Sequence, residues 1–155
     1  MDRILLWALL IIGMILLLLS LRKPLIKDTV LVYLLKAYFS SFFGVIVAEA
    51  HLIEYPVRFL GQYFDTSILF EYFLYPIMCV YFYQTSYHSS ILGIIVQCAL
   101  YTSALTILEV LCEKYTDLIE YHTWTWEYSF ITIFLLSFFV RMLMKLINKR
   151  EQSAS

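Results

Sequence analysis

Ile4 to Leu21 carries no charged residue and is almost purely aliphatic, and such a run has few stable destinations. At about 1.5 Å per residue in a helix, it is long enough to cross a hydrocarbon core of roughly 30 Å. A cleaved signal peptide would need a basic start and a small-residue cleavage site. Here Asp2 cancels Arg3, no Ala-x-Ala follows, and Arg22, Lys23 and Lys27 come after the run. The run is read as a retained first helix with its N-terminus outside.

Further apolar runs at about 29–50, 67–84, 89–112 and 128–146 repeat the pattern. Together they predict an all-α integral membrane bundle of about five transmembrane helices, one domain over 1–155. Composition agrees. The 155 residues are 62% hydrophobic and 15% charged, with a mean hydropathy of +0.79. A soluble domain has about 25% charged residues, so most of this surface must meet lipid.

The second run places Ser40, Gly44 and Ala48 on one face, a small-residue stripe that lets another helix come close. Lys36 shares that face, and its long stem is expected to snorkel to the interface rather than act as a functional intramembrane cation. Between His51 and Ser67 two readings stay open. One is a short interfacial helix over 53–64, with Ile53, Val57, Leu60 and Phe64 on one side; the other is an irregular loop. In the third run Glu71, Tyr72, Tyr75 and Cys79 fall at helical spacing, and Pro76 should bend it. In the fourth, Cys98, Thr102, Thr106, Glu109 and Glu113 form a polar stripe that must face protein or a wet cavity. The first and fifth runs lack such stripes and are expected at the periphery.

Charge sets the expected orientation. With the N-terminus outside and the C-terminus inside, the inner ends carry Arg22, Lys23, Lys27, Arg141, Lys145, Lys149 and Arg150. The outer ends carry Arg3, Arg58 and Lys114. All the acids except Asp28 and Glu151 then fall in the outer half, which makes the outer mouth the place to search for chemistry.

The stretch from Glu109 to Tyr128 concentrates that chemistry. It holds Glu109, Glu113, Asp117, Glu120 and Glu127 together with His122, Trp124 and Trp126. Amphipathic rings settle at headgroup level, so this reads as a loop capping the last two spans. Glu49, Glu71, Glu109 and Glu127 come from four spans at similar depth, and a shallow pocket roofed by Trp124 and Trp126 can hold a cation, including an organic one gripped by aromatic faces. The alternative is a set of interfacial carboxylates that anchor helix ends. Glu71 and Glu109 lie deepest. Two readings stay open for them: a shared site, with one carboxyl group protonated or a cation between them and Tyr72, Tyr75 or Tyr101 as nearby donors, or two side chains that turn separately to headgroup water.

Other chemistries find less support. His51 and His122 with Glu113 are weak candidates for a metal, since no His-x-x-x-His spacing is present. No cofactor is expected: four scattered glycines build no phosphate loop, and all three histidines lie at span ends or in turns. No catalytic residue stands out, because neither a nucleophile elbow nor a Cys–His pair can be read. Cys79 and Cys98 read as buried hydrophobes. A net charge of −1 argues against nucleic acid.

The Glu54-Tyr55-Pro56 connection, the Glu71-to-Pro76 stretch and the segment His122-Thr123-Trp124-Thr125-Trp126-Glu127-Tyr128 carry a resemblance. In them the chain resembles a family of small, mostly uncharacterised multi-pass membrane proteins of spore-forming Gram-positive bacteria. The resemblance implies a bacterial plasma-membrane protein of about five helices and supplies no activity. From the residues, the leading expectation is a non-enzymatic role, binding a ligand, a membrane-protein partner or a second copy through the outer-half cluster. A small transporter or channel subunit for a cation or organic cation is one alternative. An intramembrane enzyme using Glu71 and Glu109 is another.

Overall fold

Each apolar run ends where the sequence supplies a stop, and a computed structural model describes the result for all of residues 1–155. Helix α1 (Asp2–Leu21) closes just before Pro24, and α2 (Ile26–Glu49) follows at once. Helix α2 ends in a tight cap: the His51 amide donates to Ala48 O at 3.0 Å and the Leu52 amide to Val47 O at 3.2 Å. His51 holds the left-handed conformation that this cap requires (φ 55°), where glycine is the usual choice. A π-helical stretch, Leu69–Leu74, runs directly into α3 (Tyr75–Ser86). After a turn at Tyr87–Ser90 comes α4 (Ile91–Tyr115), with Ser90 Oγ accepting from the Gly93 amide. Helix α5 (Trp126–Ala154) completes the chain.

The π-helical stretch is where a bend was expected from Pro76. Proline has no N–H to give the carbonyl four residues before it, that of Tyr72. The Tyr33 hydroxyl supplies the donor instead, at 2.6 Å. The widened turn therefore keeps the helix continuous and presents Glu71 to the interior.

No helix forms over 53–64. Ile53–Glu54 is a strand, β1, paired antiparallel with β2, Glu120–Tyr121; Ile53 faces Tyr121 and Glu54 faces Glu120. The His122 amide donates to Leu52 O at 3.1 Å and the Val57 amide to Asp117 O at 3.1 Å. Pairing across the two loops satisfies backbone groups that a lone interfacial helix would have satisfied internally. This two-stranded sheet, with buried Leu118 and Ile119 beneath it, closes one end of the bundle, the sheet end. The opposite end, where Arg22–Leu25 and Tyr87–Ser90 turn, is the hairpin end.

Helices α2, α3, α4 and α5 pack in a ring, each against the next and α5 against α2, while α1 lies outside against α3 and the π-helical stretch. The periphery thus holds α1 as expected but not α5. On α5, Ser129, Ile133, Ser137 and Arg141 recur every four residues and are all buried. Large apolar side chains such as Ile11 and Leu18 on α1 and Leu92, Leu100 and Ile107 on α4 stand exposed. Four helices, α1, α2, α4 and α5, are long and apolar enough to cross a membrane.

Candidate functional site

The ring encloses charge near its sheet end. Glu71 from the π-helical stretch, Glu109 from α4 and Lys36 from α2 line one small cavity of about 50 Å³, together with Ser40, Tyr55, Tyr75, Trp124 and Ser129. By the space one water needs, that is room for roughly three to five water-sized groups. Phe43, Gly44 and Val47 of α2 and Thr132, Ile133 and Leu136 of α5 form its walls.

Glu109 is held by three hydroxyl donors. Tyr75 donates to Oε2 at 2.7 Å, while Tyr121 and Ser129 donate to Oε1 at 2.5 Å each. Trp124 Nε1 donates to Ser129 Oγ at 2.7 Å, so the loop indole is tied through one hydroxyl to the buried carboxyl group. Both oxygens of Glu109 are engaged, and the residue acts as the hub that fixes the roof of the cavity. Tyr121 and Tyr55, which lie outside the helices, have their phenol pKa raised. Burial is the main cause in each, followed by carboxyl charge: that of Glu109 for Tyr121, and those of Glu71 and then Glu109 for Tyr55.

Glu71 is less encumbered. Ser40 Oγ donates to its Oε2 at 2.6 Å. Its carboxyl group reaches that position only because residue 44 is glycine: a Cβ there would stand 2.7 Å from Glu71 Cδ. The small-residue stripe on α2 therefore admits a side chain rather than a helix backbone.

Lys36 departs from expectation. It does not snorkel; it is completely buried, and its Nζ has no hydrogen-bond partner. It lies a little under halfway along α2, and a stem of its length stays in the interior when its face points at Glu71 and Ser40. Burying an amino group without hydrogen bonds is costly in itself, so Lys36 stands as an unsatisfied donor inside the bundle.

Of the other residues singled out from the sequence, Tyr75 and Trp124 join the cavity with Glu71 and Glu109, and the rest lie elsewhere. Tyr72 is turned outward, since adjacent residues on a helix do not share a face, and contributes only its carbonyl to Tyr33. Tyr101 lies toward the hairpin end, its hydroxyl 3.1 Å from Thr85 Oγ1. Trp126 is exposed at the first turn of α5. Glu49 and Glu127 stand exposed at helix ends, as interfacial carboxylates do. His51 serves the α2 cap, His122 Nε2 lies 3.4 Å from Glu54 Oε1, and Glu113 is half-buried. No three His, Cys, Asp or Glu residues converge as metal ligands. Tyr121, Ser129 and Tyr55 were missed from the sequence. The period of four on α5 is the signal that could have found Ser129, but nothing local marked the two tyrosines, which the strand pairing brings in.

Fold and cavity define a class: an all-α bundle with membrane-spanning helices and a small, charged interior cavity at one end. No protein-family model matches the chain, and no curated protein or solved structure matches it.

Proposed function

We infer that this is a non-enzymatic plasma-membrane protein that binds a small zwitterionic ligand in the cavity between α2, the π-helical stretch and α5. One observation carries the reading: the fully buried, unpartnered Nζ of Lys36 lines the same cavity as the Glu71 carboxyl group. Such a pair wants an acceptor at one end and a donor at the other, a few ångströms apart. A simple cation, expected from the acids alone, would have to sit beside the lysine. A zwitterion satisfies both ends. Trp124 and Tyr55, from the loops at the sheet end, line the cavity as well. The excess of Lys and Arg at the hairpin end supports an N-out, C-in orientation with the sheet end outside.

The test uses purified full-length protein in nanodiscs, with Trp124 emission and apparent Tm as readouts. Glycine, ethanolamine and acetate serve as zwitterionic, cationic and anionic probes. Glycine is expected to shift both readouts in the wild type and neither in Lys36→Met or Glu71→Gln. No shift with glycine, or an equal shift in both variants, overturns the reading.

A second reading, transport, is favoured by one further observation. Buried hydroxyls without partners, those of Thr102 and Thr106 on α4 and Ser137 on α5, lie on the hairpin side of Glu109 and Ser129, and buried Arg141 lies one turn beyond Ser137. The α4 stripe alone fades toward the hairpin end; α5 extends it. Probe uptake into proteoliposomes that Ser137→Val abolishes, with binding retained, would establish transport. The enzyme reading has no such support, because both Glu109 oxygens are taken by structural donors.

A further inference from the structure

The hairpin end carries a second cavity, unlike the first in charge. It measures about 370 Å³ and is lined by Arg141, Lys145, Asn148, Lys149 and Gln152 of α5, together with Ser89 before α4. Three cations line it and no carboxylate does. Arg141, 5% exposed, is the fixed member. Its Nε donates to Ser86 Oγ at 3.0 Å, and its Nη2 to Ser86 O at 2.9 Å and Tyr87 O at 3.3 Å. The guanidinium carbon lies 5.1 Å from the centroid of the Tyr83 ring. These neighbours are all neutral. No acid pairs with Arg141, and its Nη1 donates to no protein atom.

The nearby acids are already committed. Asp28 accepts from Tyr83 at 2.5 Å and from Asn148 at 3.2 Å, and Glu151 pairs with Lys27 at 2.5 Å. Helix α4, 25 residues long, begins beside the cavity, so its first-turn amides and the positive end of its dipole add to the field. A buried guanidinium without a counter-ion, flanked by the two exposed ammonium groups of Lys145 and Lys149, is a donor set for an anion with several oxygens. The volume exceeds what a bare oxyanion fills.

The geometry points to a binding site for a phosphate group at the hairpin end, with Arg141 as its fixed anchor and Lys145 and Lys149 closing on it. At a membrane surface that chemistry has two sources, the headgroup of an anionic phospholipid and a free phosphate species. The site shares no lining residue with the cavity at the sheet end.

Lys145 and Lys149 are exposed, so replacing them leaves the fold intact. The experiment measures acetylation of these two lysines in the purified full-length protein, with native mass spectrometry for retained lipid. The probes are phosphatidylglycerol, diacylglycerol with the same chains, and inorganic phosphate. Phosphatidylglycerol is expected to be retained and to shield both lysines, with diacylglycerol doing neither. Lys145→Gln/Lys149→Gln should weaken retention roughly tenfold. Shielding by inorganic phosphate equal to that by phosphatidylglycerol supports the site and assigns it to the free species. Equal effects from diacylglycerol, no shielding by either phosphate probe, or unchanged retention in the double variant would overturn the inference.

Discussion

Gly44 and Glu71 share one volume: the Cδ of Glu71 lies 2.7 Å from where a Cβ on Gly44 would be, and its Oε1 lies 2.8 Å away. The glycine on α2 and the acid on the π-helical stretch are therefore a matched pair. Gly44→Ala gains helix propensity worth about 1 kcal/mol but forces the carboxyl group off Ser40, and overpacking of this kind costs about 1–3 kcal/mol. Net destabilisation is expected. In a Glu71→Ala background the obstruction is gone, and the same substitution should stabilise. Denaturant unfolding of the four proteins in the cycle checks this sign reversal.

Lys36→Met should leave stability unchanged or raise it by about 1–2 kcal/mol. A buried amino group without a hydrogen-bond partner is replaced by an apolar chain of similar length, which removes the desolvation cost of an unsatisfied polar group. The same variant is expected to lose the glycine response. Apparent Tm measured with and without glycine separates the two effects; a large destabilisation would show that Lys36 is a structural group.

Glu109→Gln places an amide donor among three hydroxyl donors, and Glu109→Ala leaves those hydroxyls without their acceptor. Losses of about 1–3 kcal/mol are expected for the first and more for the second. Trp124 emission should shift in both, because its indole is held through Ser129. Ser129→Ala should reproduce the spectral shift at a smaller cost in stability.

The raised phenol pKa values of Tyr55 and Tyr121 have a definite sign. A group raised above its ordinary value of 10.0 keeps its proton in the native state while the unfolded chain releases it. The stability contributed is complete below about pH 10 and falls as pH rises further toward the native pKa. Phenolate absorbance should therefore show a fraction of the 13 tyrosines withheld until the fold is lost. Tyr121→Phe should shrink that fraction.

His51→Gly is expected to stabilise the protein by about 1 kcal/mol, since a non-glycine residue in the left-handed region bears a cost that glycine avoids. Thermal unfolding measures it, and divalent metal should make no difference to the result.

The helices were legible in the sequence because bilayer thickness and hydropathy act locally: the first four runs end within three residues of their expected limits. Helix α5 instead runs on to Ala154, eight residues past the expected 146, because its polar last turns lie beyond what hydropathy marks. Within the site, Glu71, Tyr75 and Glu109 were legible through helical spacing and the cost of exposing carboxyl groups to lipid. Lys36 was not, because stem length allows either snorkelling or burial and the choice depends on what its face meets. Ser129 was hidden because its period of four with Ile133 and Ser137 lies among the aromatic residues of α5, where it is easily read as lipid-facing bulk; Arg141, on the same period, reads in the sequence only as an inner-end cation. The strand pair was the least visible. Two residues on each side carry no periodicity, and their pairing is fixed by the helices that bring the loops together.

That strand pair also fixes an order of events during synthesis. Ile53 can meet Tyr121 only after α4 has crossed, because its partner lies beyond that helix in the chain. Chains emerge N-terminus first, so until then the Glu71 carboxyl group lies under an unfinished roof, open to water at the sheet end. Closing the sheet delivers Tyr121 to Glu109 in the same step, so formation of the cavity itself signals that the last hairpin has been inserted correctly.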